Sequence, residues 1–250
     1  MTTKKLLFLL TLISGSAIYS CVEDKNEEPI VIDYAYEYYP LQVGKYRVFQ
    51  MDSIVFDTIA GKTRSDSVRT YLREEMLDTF VNNKGATVYR IERMERKKQT
   101  DTWVFRDIVT AEKEKNKGIR TENNFRLVKV VFPPKTRTFW FSTQYIDTDV
   151  AVKVGKKEVK IFSNWESEVI AVGSAATVLN KKFDKVLVIN QANDENALEL
   201  RRVTEKYAAG IGLVSNEMEI LDTQATGNTA TWRKKAQKGF TLRQYLIEYN

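Results

Sequence analysis

Tyr46-Arg47-Val48-Phe49-Gln50-Met51-Asp52-Ser53-Ile54-Val55-Phe56 is a run rich in β-branched and aromatic residues, and it follows the turn-forming Leu41-Gln42-Val43-Gly44. Such residues suit a pleated, half-buried surface, so the run predicts a long strand. Its alternation shifts near Gln50 to Ser53, which predicts a bulge, because one extra residue turns the in-and-out pattern over. Outward from this run, strand patterning predicts further strands over 86–97, 102–110, 125–132, 136–146, 165–173, 183–190, 197–207, 211–221 and 240–249. Asn82-Asn83-Lys84-Gly85, Asn123-Asn124 and Asn164 supply residues that tolerate positive φ, and they mark reversals between strands.

Two segments fit less simply. Val68, Tyr71, Leu72, Glu75, Met76 and Phe80 satisfy helical as well as strand spacing, and strands on both sides favour a strand. Ala171 to Asn180 carries Gly173-Ser174-Ala175-Ala176 and reads as a loop or an irregular edge. The fold class that follows is all-β and mostly antiparallel, a single domain of curved sheet, of sandwich or half-barrel type. All four prolines fall at Pro29, Pro40, Pro133 and Pro134, and no Pro- or Gly-rich linker divides the chain after residue 40. Proline cannot donate to a ladder, which makes Pro133-Pro134 the candidate for a sheet-to-sheet crossing.

The first residues carry an address. Lys4 and Lys5 precede an apolar run from Leu6 to Ile13, and Ser14-Gly15-Ser16-Ala17-Ile18-Tyr19-Ser20-Cys21 follows. Charged, apolar and cleavage regions in that order form a secretory signal. The apolar run falls short of the roughly 20 residues a membrane-spanning helix needs. Ile18-Tyr19-Ser20-Cys21 resembles a bacterial lipobox, with Tyr19 where a small residue is usual. The resemblance implies cleavage before Cys21 and lipidation (palmitate among the acyl groups) of that residue, the one cysteine of the chain. An ordinary signal with an incidental cysteine is the alternative. Each buried methylene would add about 0.8 kcal/mol of membrane affinity, so several acyl chains would hold the chain firmly.

Val22-Glu23-Asp24-Lys25-Asn26-Glu27-Glu28-Pro29 is too polar to bury itself and reads as a flexible acidic tether. It also resembles the acidic export signals that follow the cysteine in surface-displayed lipoproteins of the Bacteroidetes; a plain solvated spacer explains it as well. The expected division is therefore 1–20 signal peptide, 21–37 tether and 38–250 β-rich domain. The expected location is the cell envelope, as an outer-membrane lipoprotein, with surface exposure if the acidic stretch acts as an export signal.

Tyr39-Pro40-Leu41-Gln42-Val43-Gly44-Lys45-Tyr46-Arg47-Val48-Phe49 resembles the opening of an uncharacterised family of exported bacterial β proteins, with Tyr46 and Arg47 where a tryptophan is usual. Lys182-Phe183-Asp184-Lys185-Val186-Leu187-Val188 resembles their central strand. Glu205-Lys206-Tyr207-Ala208-Ala209-Gly210-Ile211-Gly212-Leu213-Val214 resembles a later motif in which a tyrosine enters a glycine-flanked turn. The resemblance implies a β fold and export, and no activity comes with it.

The chain carries 39 Lys and Arg against 33 Asp and Glu, a formal +6. Loss of the leader would remove Lys4 and Lys5 and no acid, leaving +4. The basic residues are interleaved with acids, as in Arg90-Ile91-Glu92-Arg93-Met94-Glu95-Arg96-Lys97-Lys98, so the concentrated basic footprint of a nucleic-acid binder is missing. Arg96-Lys97-Lys98 reads as a solvated hairpin end.

There is no histidine, which removes Ser-His-Asp triads, imidazole-built zinc sites and the commonest acid-base catalyst. With Cys21 lipidated, thiol catalysis and disulfides go as well. Glu166 and Glu168 beside Trp165 could serve glycoside hydrolysis, with the aromatic stacking on sugar, yet a solvated strand face explains them. Asp194-Glu195-Asn196 and Asp147 with Asp149 offer oxygen ligands without the dense loop of a calcium site, and read as turns. Gly210-Ile211-Gly212 allows a sharp bend or a close approach, and continues as strand, unlike a phosphate loop. Tyr34, Tyr36, Tyr38 and Tyr39, with Phe139-Trp140-Phe141, fit a core or sheet face better than a membrane surface.

The sequence therefore predicts no catalytic, cofactor or metal site, and no enzyme. It predicts a membrane-anchored binding or structural module of the envelope, held through Cys21 and contacting envelope proteins or glycans. The alternative is a carrier of lipid or another hydrophobic ligand. The two differ in the interior, because a carrier needs an apolar cavity and a packed sandwich leaves none.

Overall fold

A computed structural model describes residues 31–59, 62–227 and 229–250. The expected leader and Cys21 lie outside the described residues, as does most of the tether. One compact unit runs from Asp33 to Asn250. Among the described residues no helix is long and apolar enough to cross a membrane.

The strands are β1 (Tyr46–Ile59), β2 (Lys62–Val81), β3 (Thr87–Arg96), β4 (Val104–Lys113), β5 (Lys117–Glu122), β6 (Phe125–Val131), β7 (Phe139–Trp140), β8 (Val152–Val154), β9 (Lys157–Val159), β10 (Ser167–Val178), β11 (Lys181–Glu195), β12 (Glu199–Ala208), β13 (Gly212–Asp222) and β14 (Lys238–Tyr249). A single helical turn, α1 (Trp232–Lys235), precedes β14. Twelve strands form one antiparallel sheet in the order β6-β5-β4-β3-β2-β1-β14-β13-β12-β11-β10-β7, and β8 pairs only with β9. Two meanders are thus joined at a central seam, where Arg47 opposes Tyr249 and Asp57 opposes Lys238.

The sheet curls until its edges meet. Val128 N–H on β6 donates to Ser142 O at 2.9 Å, and the Trp140 indole donates to Val128 O at 2.9 Å. Across the interior, Gln191 Nε2 donates to Lys129 O at 2.7 Å. Curvature is what allows this, since strands twisted in one sense roll a long sheet toward closure. One large curved sheet is the form observed, and among the described residues the only other sheet is the two-stranded β8–β9 ribbon, which lies against β14. Pro133-Pro134 therefore does not carry the chain between sheets: it ends edge strand β6 and sends the chain across to β7.

Local chemistry explains the reversals. Asn82 Oδ1 accepts from Lys84 N and Ala86 N, and Gly85 sits at φ 76° between β2 and β3. Asn123 and Asn124 both adopt positive φ, at 49° and 65°, which matches the right-handed twist of the β5–β6 hairpin. The 68–80 segment is strand, within β2. The bulge expected at Gln50 to Ser53 is absent from β1, which pairs with β2 without a register shift; where β1 meets β14 the pairing steps from Val48–Glu248 to Phe49–Leu246, so the extra residue is Ile247 of β14. The expected strand over 136–146 shrinks to β7, because the rest turns to plug the barrel. Ala171–Asn180 is the irregular edge: β10 meets β11 with three register shifts, which blunt an open edge against pairing with other chains.

Each end of the half-barrel is filled. At the end where β1 begins, Tyr38 and Tyr39 pack with Met76, Ile91, Leu187 and Tyr207, with Tyr34 and Tyr36 against them. Tyr38 and Tyr39 are core and Tyr34 and Tyr36 half-buried against it, all in or beside a short 3-10 turn (Tyr36–Tyr38) rather than a strand. At the opposite end Val159, Phe162 and Trp165 pack with Ala192, Val203 and Ile220.

Candidate functional site

Between the two plugs lies a partly open cavity of ≈ 270 Å³. Its apolar wall includes Leu72, Ile91, Phe125, Met218 and Leu242. That volume exceeds the roughly 150 Å³ of a cavity that binds benzene and falls just below the roughly 300–1,000 Å³ of drug-sized sites.

A band of charge crosses the concave face of the first meander. Register alone builds it: Arg47 opposes Glu74 on β1 and β2, Glu74 opposes Arg93 on β3, and Arg93 opposes Asp107 on β4. Arg120 of β5 donates to Glu74 at 2.5 Å and pairs with Glu122 at 3.3 Å. Arg93 holds Asp107 through two hydrogen bonds of 2.5 Å and also holds Glu122. Lys129 reaches from β6 to Glu205 on β12 at 2.5 Å, and Tyr207 donates to the same carboxylate at 2.7 Å. Glu74 and Glu205 are only 3% and 1% exposed, so the partners are obligatory: an unpaired buried charge would be far costlier.

Burial alone would push the Glu122 carboxyl up, but Arg120 and Arg93 outweigh it and hold it at about 2. Glu74 stands likewise below the ordinary carboxylate range, burial being overcome by Arg120 and Arg47. Burial raises the Tyr39 and Tyr207 phenols, so both stay protonated hydrogen-bond donors. Burial also lowers Arg47.

Arg47 differs from its neighbours. Its one ion pair, to Glu74, is loose at 3.7 Å, because Arg120 already takes both oxygens of that carboxylate. Among the described residues its guanidinium makes no hydrogen bond, although its side chain is only 12% exposed. It lines both the cavity and a small surface recess with Pro40, Gln42 and Gly210. Gly212 makes room for it: a Cβ there would stand 2.6 Å from Arg47 Nη1. On the cavity wall Asn216 Oδ1 is also buried without a partner.

The residues singled out in the sequence lie elsewhere. Glu166 and Glu168 do share one place, an open groove of ≈ 520 Å³ with Phe139, Phe141 and Asp194. Trp165 cannot stack on a sugar there, being buried against Phe162 with its indole bonded to Ile161 O at 2.8 Å. Phe139 and Phe141 are exposed rather than core. Asp147 accepts from Asp149 N, Asp149 pairs with Lys160, and Asn196 caps Leu198 N and Glu199 N, which makes all three turn builders. Among the described residues no group of acids is arranged for a metal. Gly210 and Gly212 flank the β12–β13 turn at φ 77° and 88°.

The cavity charges escaped sequence reasoning because cross-strand register, not proximity in sequence, assembles them. One signal was available: Arg47 shares inward parity with Phe49 and Met51.

No family model and no curated protein matches this chain. Among solved structures it is similar to a candidate lipoprotein from Parabacteroides distasonis, at 10% identity and a TM-score of 0.41 over 85% of this chain and 98% of that one. It is similar as well to a candidate exported protein with a YmcC-like fold from Bacteroides fragilis, at 10% identity and a TM-score of 0.41 over 88% of this chain and 100% of that one.

Proposed function

We propose that this chain is a lipoprotein of the cell envelope, anchored in the outer membrane through acylated Cys21, whose half-barrel takes up a small, largely apolar molecule. The observation that carries the binding half is the ≈ 270 Å³ cavity between the plugs. A protein interior normally closes such space, because each void forfeits contact energy. No catalysis belongs to this reading, since the chain has no histidine and its one cysteine is the anchor.

The anchor and the cavity are tested separately. Cys21→Ser behind a non-lipoprotein signal is expected to release the protein from membranes into the soluble fraction; continued retention would count against acylation. Organic extraction of the purified protein, followed by mass spectrometry, is expected to yield a bound small molecule in near-stoichiometric amount. A second reading, a module that contacts an envelope protein or glycan on its outside, is favoured by the open groove with exposed Phe139 and Phe141.

A further inference from the structure

We infer that the ligand is an amphipathic carboxylate of medium chain length, its head held by Arg47 and its tail lying along Leu72, Ile91 and Met218. This rests on the cavity reading above and names the chemistry of that same site.

A guanidinium carries five N–H donors in a planar fork and is not deprotonated in proteins. Burying one without acceptors is costly, and buried polar groups are almost always satisfied. The other buried cations of the band obey this rule: Arg93 is held by Asp107 and Glu122, Arg120 by Glu74 and Glu122, and Lys129 by Glu205. Arg47 is left with a 3.7 Å approach to a carboxylate that Arg120 already occupies. Its side chain lines both the cavity and the recess by Pro40, and its nitrogens are open to that space rather than sealed in protein, so an acceptor from outside the chain can reach them. A carboxylate matches a guanidinium two bonds at a time, which makes it the fitting head.

Shape sets the rest. Apolar side chains continue from Arg47 toward the Trp165 plug, and ≈ 270 Å³ admits a chain of several methylenes but not a two-chain lipid. Gly212 and the recess beside Pro40 place Arg47 at the mouth, so the head would stay near solvent while the tail is buried.

Calorimetric titration of the full-length chain carrying Cys21→Ser, which keeps acyl groups and detergent away from the cavity, tests this with octanoate and 1-octanol. Octanoate is expected to bind about tenfold more tightly than octanol, the difference a charge-assisted pair supplies. Arg47→Gln is expected to abolish that preference, with circular dichroism and thermal unfolding reporting that the variant is folded. Arg47→Lys, keeping charge but losing the fork, is expected to retain part of it. Equal binding of both probes by the native chain, or an undiminished preference in Arg47→Gln, would overturn the head-group assignment and leave the cavity reading standing. Failure of both probes to bind would overturn both.

Discussion

The two plugs of the half-barrel are made of similar aromatic residues but are fastened by different means. At the β1 entry the tyrosine turn is pinned through hydroxyls and close contact: Tyr39 donates to Ile119 O at 3.0 Å, Tyr36 to Lys115 O at 2.8 Å, and Gly210 N to Glu37 O at 2.8 Å. At the far end Phe162, Trp165 and Phe125 interlock ring on ring, with centroids 4.8 and 5.2 Å apart. Beneath them Arg201, fully buried, binds Asp222 at 2.7 Å and Lys160 O at 3.1 Å. The exposed Tyr36 bond is exchanged with water at little net cost, whereas the buried Tyr39 bond and the dry aromatic packing are lost outright when broken. The far plug rests more fully on ring packing, and Arg47 stands at the tyrosine end.

Trp165→Ala should therefore cause the largest loss, about 3–5 kcal/mol, because it empties a buried site and removes the ring contact with Phe162. Urea unfolding would measure it; a loss below 1 kcal/mol would show that the far plug is not integral to the core. At the tyrosine end, Gly118→Ala places a Cβ 2.8 Å from the Tyr39 ring and should cost about 1–3 kcal/mol by overpacking. Combining it with Tyr39→Leu should recover part of that cost in a double-mutant cycle, and strict additivity would mean the ring is not the obstacle. The smallest effect concerns the band between the plugs. Glu122 titrates at about 2 in the folded chain against an ordinary 4.5, so its stabilising contribution is complete above pH 4.5 and disappears as pH falls toward 2. Glu122→Gln should flatten the stability profile over that window, and an unchanged profile would locate the acid sensitivity elsewhere.

Much of the fold was legible in short stretches. Asn82 to Gly85 and Asn123-Asn124 declare their turns because positive φ restricts which residues can stand there. The 68–80 segment was ambiguous by period alone, and its neighbours decided it correctly. The brevity of β7 was not legible: Phe139 to Ile146 has the composition of a strand, but only two residues find a partner, and pairing is a property of the edge that meets them. Strands β5, β8 and β9 were too short to show a period. The cavity wall was least visible of all, since Glu74, Arg93 and Arg120 look like members of a solvated charge mixture until register sets them side by side.

The seam between β1 and β14 has a consequence for assembly. Tyr46 and Glu248, which share a hydrogen bond of 2.7 Å across it, are 202 residues apart in sequence. Pairing over such a distance is slow to form, because the intervening loop must be closed before any ladder rewards it. Until β14 arrives, the first meander has one raw margin at its centre and cannot commit to its final curl. A polypeptide built this way stays open along that margin until its last strand has been made, and only then can it set.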